Sequence, residues 1–393
     1  MTIREEFARR SGRASDGVWS APGRVNLIGE HLDYNGGRVL PFAIGLRTRV
    51  AAAARDDDRI RCWSLQDPDE VETTIDAAAG ESGWAAYAAG TVWALRRLGA
   101  PVRGLDMLVD GSVPLGSGLS SSAALEAAVA LAATELGGGP AADRLVLARA
   151  GQLAEHEVAG APVGLMDQVA SLFGREGDAV LFDSATTRHD LVPLPLADAG
   201  CSLLVIDTRV THDLASSEYG VRRRQCEQAA RDLGIDHLAL ASPDDLDRID
   251  DDVVRRRARH VVTEQARVSS ALTAIRRTDM AALGRLLVAS HESLRDDFEV
   301  SVPELDATVE AALDAGALGA RLTGGGFGGC VIALTAADRV DPVAVTVAAR
   351  ARTAGRPAPG FIDGAPRAGA GREPDPLSGS RCDRSDEPRP RPG

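Results

Sequence analysis

Residues 105–139 read LDMLVDGSVPLGSGLSSSAALEAAVALAATELGGG, and that order leaves the chain few options. LDMLVDG nearly alternates, as a strand does, and the alanine-rich stretch beyond the serines is a long helix. Between them the glycines of LGSG turn the backbone tightly and bring N–H groups close to a ligand, with the positive end of the helix behind them. The serine hydroxyls can donate to a phosphate or coordinate magnesium. An ordinary serine N-cap explains the same spacing equally well. Three serines in a row after two glycines exceed what capping needs.

A second glycine run, Leu322 to Cys330 (LTGGGFGGC), satisfies G-x-G-x-x-G. The dinucleotide reading fails on context, because that fingerprint must open a helix and here CVIAL follows, which is strand-like. A plain glycine-rich hairpin remains as the alternative, although five glycines lose much backbone entropy on folding. A third segment, Gly23 to Tyr34 (GRVNLIGEHLDY), alternates Val25, Leu27 and Ile28 as a buried strand does and ends in a polar cluster. Glu30, His31 and Asp33 could ligate a metal or hydrogen-bond a polyhydroxylated ligand. No second histidine stands at helix or strand spacing from His31. The isolated His156 and His291 read as structural.

Composition removes several chemistries. All 44 basic residues are arginine, so the P-loop lysine, the protein-kinase lysine and Schiff-base amines are absent. A net charge of −13 argues against a nucleic-acid partner. Five scattered cysteines, with no C-x-x-C, read as reduced thiols of a cytoplasmic chain. MTIREEFARR has no apolar core, and the longest apolar stretch, Ala123 to Leu136, is too short and too charged to span a bilayer.

The length fits about two domains. Short strands are expected over 18–63, with a hairpin turn at Asn35-Gly36-Gly37, and a helix over 82–99. A further helix runs from about Asp143 to Val158, strands follow at DAVLFDS and CSLLVIDTRV, and helices dominate from Tyr219 to Gly316. DPVAVTVAARART is a last helix. From 369 the chain turns to Gly, Pro, Arg, Ser and acidic residues, a composition expected to be disordered.

These three motifs, in this order and at these separations, resemble the family of small-molecule kinases that includes galactokinase, homoserine kinase, mevalonate kinase and phosphomevalonate kinase. GLMDQVASLFG, AEHEVAG, THDLASSEYGVRRRQC and SHESLRDDFEVSVPELD extend the likeness over residues 3–368. The glycine motifs are shared across the family, whereas GEHLDYN and LASSEY point to its galactokinase branch. Leu32 stands where threonine is common and Gly220 where proline is common.

The resemblance implies a two-domain α+β kinase with its active site in the interdomain cleft. The first domain would span 1–195, the second 196–368, and the tail 369–393. It implies ATP-dependent phosphorylation of the anomeric hydroxyl of galactose, with Mg2+ as cofactor, in a cytoplasmic monomer. Glu30, His31 and Asp33 would hold the sugar, with Gly164 and Tyr219 completing its pocket. Asp167 would be base or charge anchor beside the anomeric hydroxyl, and Arg24 would touch both that hydroxyl and the transferring phosphoryl. Gly116, Ser117, Gly118, Leu119, Ser120 and Ser121 would wrap the phosphates, and Ser122 and Glu155 would be magnesium contacts. Trp84 would neighbour adenine, or simply fill the core from its amphipathic helix. Two alternatives stand beside this reading. One is a kinase of N-acetylgalactosamine, a uronic acid or arabinose; the other is a galactose- and ATP-binding regulator without turnover.

Overall fold

The computed structural model describes residues 1–161, 163–211 and 215–374. In chain order the first half contains α1 (Ile3–Ser11), β1 (Gly17–Asn26), β2 (Arg38–Val39), β3 (Pro41–Ala54), β4 (Arg59–Ser64) and β5 (Val71–Thr74). There follow α2 (Trp84–Arg97), β6 (Leu105–Gly111), α3 (Ser121–Leu136), α4 (Arg144–Glu157), α5 (Met166–Phe173), β7 (Asp178–Asp183) and β8 (Arg188–Pro193). The second half contains β9 (Cys201–Thr211), α6 (Ala215–Leu233), α7 (Asp252–Arg276), α8 (Met280–Asp296) and α9 (Pro303–Asp314). It closes with β10 (Gly319–Thr323), β11 (Gly328–Ala336), α10 (Val340–Thr353), β12 (Gly360–Asp363) and β13 (Gly371–Arg372).

The strands form three sheets, in the orders β13-β1-β3-β6-β4-β5, β10-β11-β9-β12 and β2-β7-β8. β1 and β3 are antiparallel as the sequence leads one to expect, but their connection is far wider than a two-residue hairpin. Residues 27–37, which carry the polar cluster, bulge out between Asn26 and its partner Pro41. The register also slips between Pro22 and Arg24. Such a bulge re-aims a side chain, and here it turns the buried Arg24 toward Asp167. Alanine-rich α3 lies on this sheet and is buried along most of its length, because small side chains allow close helix–sheet approach.

In the second half β9 and β11 pair along most of their length; β11 is buried except at Ala336, and β9 is buried over Leu203, Leu204, Val205 and Ile206. β10 and β11 form a hairpin with Thr323 opposite Cys330, so the plain reading of the second glycine run holds for its backbone. The expectation of disorder from 369 fails for residues 369–374. β13 pairs with β1 through Trp19↔Arg372 and Ser20↔Gly371. A two-residue strand leaves no periodicity to read, and its order comes from the edge it joins. Residues 375–393, which include Cys382, lie outside the described residues. No helix among the described residues is long and apolar enough to cross a membrane.

Candidate active site

Arg24 is the centre of the polar cleft. Its Nε and Nη2 donate to the two oxygens of Asp167 at 2.7 and 2.6 Å, and Nη1 donates to the Gly118 carbonyl at 2.6 Å. Such a fork fixes a carboxylate in both distance and plane. Burial would lower the pKa of this guanidinium, but Asp167 and nearby carboxylates hold it above its ordinary value. Ser120, at φ 59° in the left-handed region, donates from its hydroxyl to the same Asp167. It makes no side-chain cap on α3, which leaves the first N–H groups of that helix without one.

Glu30 is 1% exposed and ties two motifs together. One oxygen accepts from the Gly324 N–H at 2.8 Å and Thr323 Oγ1 at 3.1 Å and pairs with Arg321 at 2.9 Å; the other accepts from Asn26 Nδ2. Its pKa is raised, burial outweighing Arg321. His31 has φ 64°, shares a 2.9 Å hydrogen bond between Nδ1 and the Tyr34 hydroxyl, and leaves Nε2 buried without a partner. Burial, then His260 and Arg321, keep the imidazole neutral by pushing its pKa well down. Asp33 is raised to about 7, by burial first and then by the charges of Asp167 and Glu30. Gly164 lies so close that a Cβ there would stand 1.6 Å from Asp33 Oδ2.

Arg24, Glu30, His31, Asp33, Gly164, Asp167 and Tyr219 line one cleft of about 170 Å³. The family resemblance implied all seven together. Val163, Met166, Gly324 and Gly325 line it too. The glycines could have been found from their motif, since a tight hairpin beside a polar loop is a natural wall. Val163 and Met166 carry no signal of their own beyond flanking Gly164 and Asp167.

The loop before α3 abuts the glycine hairpin: a Cβ on Gly329 would meet the Ser117 carbonyl at 2.7 Å. Leu119 is fully buried and Ser117 donates to the Pro114 carbonyl at 2.9 Å, so neither side chain is free for a ligand. Trp84 lines a mostly apolar hollow of about 130 Å³ with Ser121, Leu115, Leu125, Val109 and Val113. Burial raises the pKa of Glu155 to about 7, against the opposing effect of the neighbouring Ser122 side chain. Gln168 Nε2 donates to Glu126 at 3.0 Å and reaches Glu155 at 3.5 Å, while Glu126 Oε1 and Gln168 Oε1 are buried without partners. Among the described residues no group of three or more His, Cys, Asp or Glu could hold a metal. A hydroxyl, one carboxylate and substrate oxygens still suit magnesium, which takes hard oxygen donors and keeps much of its water.

The galactokinase galactose-binding signature matches residues 5–54, and the GHMP kinase N-terminal and C-terminal domains match 86–175 and 271–352. The galactokinase of Streptomyces coelicolor is 46% identical over 379 residues, covering 94% of this chain and 98% of that one. The chain belongs to the galactokinase family. The human galactokinase is 45% identical over 351 residues, with 86% and 87% of the two chains covered. The crystal structure of Lactococcus lactis galactokinase complexed with galactose superposes with a TM-score of 0.89 at 34% identity, over 94% of this chain and 98% of the other. Methanococcus jannaschii mevalonate kinase shares the fold, with a TM-score of 0.64 at 17% identity over 89% and 99% of the two chains.

Proposed function

We infer that this chain transfers the γ-phosphoryl of ATP to the anomeric hydroxyl of galactose. The observation that carries the residue assignment is the Arg24–Asp167 fork, set between an uncapped helix start and a cleft lined by Glu30, His31 and Asp33. The sugar oxygen bonds to phosphorus as the bridge to ADP breaks, and the hydroxyl proton leaves toward Asp167 or water. Phosphoryl transfer needs position and positive charge more than covalent help. In a lysine-free chain Arg24 and the N–H groups at the start of α3 supply that charge.

Within this reading Asp33 and the free Nε2 of His31 meet the sugar hydroxyls, and Tyr219 and Gly164 bound the pocket. Glu30, with one oxygen spent on Arg321, Thr323 and Gly324, mainly ties the sugar loop to the hairpin. Residues 116–121 wrap the phosphates through backbone groups, and adenine sits by Trp84. Ser122 and Glu155 would hold magnesium, which offsets phosphate charge when bound. We read the protein as a cytoplasmic monomer. The four described cysteines are unpaired and buried, which suits a reducing compartment.

The test is ADP release with ATP and a panel of galactose, glucose, N-acetylgalactosamine, arabinose and a uronic acid. Galactose should have the highest kcat/KM, ahead of glucose by on the order of 10- to 100-fold, because the equatorial 4-hydroxyl of glucose leaves part of a buried acceptor unpaired. Equal use of glucose, or preference for another sugar, overturns the substrate.

A further inference from the structure

The loop that carries Glu30, His31 and Asp33 is held from outside the cleft by one face of α7. The carboxylate of Glu264, itself fully buried, accepts from the Gly29 N–H at 2.9 Å and from Ser290 Oγ at 2.7 Å through the same oxygen. Its other oxygen accepts from Arg267 Nε at 2.6 Å. One turn away His260 Nε2 meets the Glu30 carbonyl at 3.1 Å, and Gln265 Oε1 accepts from the Arg38 N–H at 2.9 Å. Gly29 sits at φ 103°, where a side chain is strained, and a Cβ there would lie 2.8 Å from the Arg38 carbonyl. Two residues on, His31 takes the left-handed φ of 64° that leaves its Nε2 buried and unpaired.

A backbone turn of this kind persists only where its surroundings over-determine it. The Gly29 N–H is the donor at its root, and a buried amide must be paired. We propose that Glu264 is a positioning residue for sugar binding: through the Gly29 N–H it fixes the turn that aims His31, and with it Asp33, into the cleft. Glu264 does not line the cleft. The proposal rests on the reading that His31 and Asp33 meet the sugar. Burial alone would raise the pKa of Glu264, but Arg267 and His260 bring it down to about 2, so an anion is held against that amide at neutral pH.

A structural ion pair and a positioning contact separate by variant. Arg267→Met removes the pair and keeps the Gly29 contact. Glu264→Met/Arg267→Met removes both without stranding a buried charge, a replacement that folds often tolerate. Glu264→Gln keeps an oxygen where Gly29 needs one. We expect galactose KM, and galactose Kd by calorimetry, to rise on the order of 10-fold in the double variant. Both should stay within about two-fold in Arg267→Met and Glu264→Gln, and ATP KM should stay within about two-fold in all three. Glu264→Leu/Arg267→Met repeats the test if the first double variant does not fold. Unchanged galactose KM and Kd in either folded double variant, or equal rises for galactose and ATP, overturn the proposal. The unaltered chain runs in the same assay; absence of galactose-dependent ADP release there would overturn the functional reading instead.

Discussion

Asp33 is a carboxyl placed where burial and two neighbouring carboxylates oppose its charge, raising it from the usual 3.8 to about 7. For an acid raised in this way the fold favours the protonated form. That contribution to stability is complete below the unfolded value and is lost as pH climbs toward 7. Asp33→Asn never ionises, so its melting temperature relative to wild type should rise steadily from pH 4 to 7 and then level off. Calorimetry without sugar at pH 5, 6, 7 and 8 measures this, and a difference that stays flat or falls would show that Asp33 titrates normally. Asp167 obeys a different logic, since the Arg24 fork and Ser120 occupy its oxygens. Asp167→Asn keeps size and loses the anion. Its kcat should drop by roughly two decades or more while galactose Kd changes little, and near-normal turnover would remove Asp167 from the mechanism.

At the scale of elements, what was legible in the sequence is what local chemistry dictates. Glycines, serines and a polar cluster at a strand end marked out the loop before α3, the hairpin and the loop after β1, and the seven residues that the resemblance implied around the sugar line one cleft. Their supports were not legible. Arg321 pairs with Glu30, and Glu264 with Gly29, from the far half of the chain; Arg321 adjoins the second glycine run without any sign of its partner, and nothing near Glu264 marks it out. The bulge at Pro22–Arg24 was invisible for a similar reason, being a register slip against β3 rather than a local preference. Gly164 lies between these cases. GLMDQVASLFG entered through the resemblance, but the contact that demands glycine is with Asp33, in another loop. Gly164→Ala should displace the Asp33 carboxylate and raise galactose KM by about 10-fold or more, the penalty of a misplaced buried acceptor. Its melting temperature should move by only a few degrees, and an unchanged KM would show that Asp33 has room to swing without consequence.

Across the whole molecule, the last described residues return to the first sheet. β13 adds to the edge of β1, the Glu373 N–H donates to the Val18 carbonyl at 2.8 Å, and Arg372 donates to the Asp16 carbonyl at 2.7 Å. Glu373 also takes a bidentate pair from Arg49 at 2.9 and 2.7 Å, and the Arg372 guanidinium lies 5.1 Å from the Trp19 ring centroid. This closure matters for β1, because the strand that carries Arg24 would otherwise expose its outer edge. Partly exposed ion pairs contribute under about 1 kcal/mol and each net hydrogen bond about 1 kcal/mol, so the strand as a whole is worth about 1–3 kcal/mol. Chains ending at residue 374 and at residue 370 isolate that contribution. At roughly 2–4 °C per kcal/mol for domains of 150–250 residues, and less for a longer chain, the shorter one should melt a few degrees lower. Its turnover at 25 °C should stay within about two-fold, since the pairing involves Trp19 and Ser20 and not the Arg24 end of the strand. Equal melting temperatures would mean that the edge of β1 needs no partner. A large loss of turnover without a loss of stability would mean that edge pairing is transmitted along β1 to Arg24.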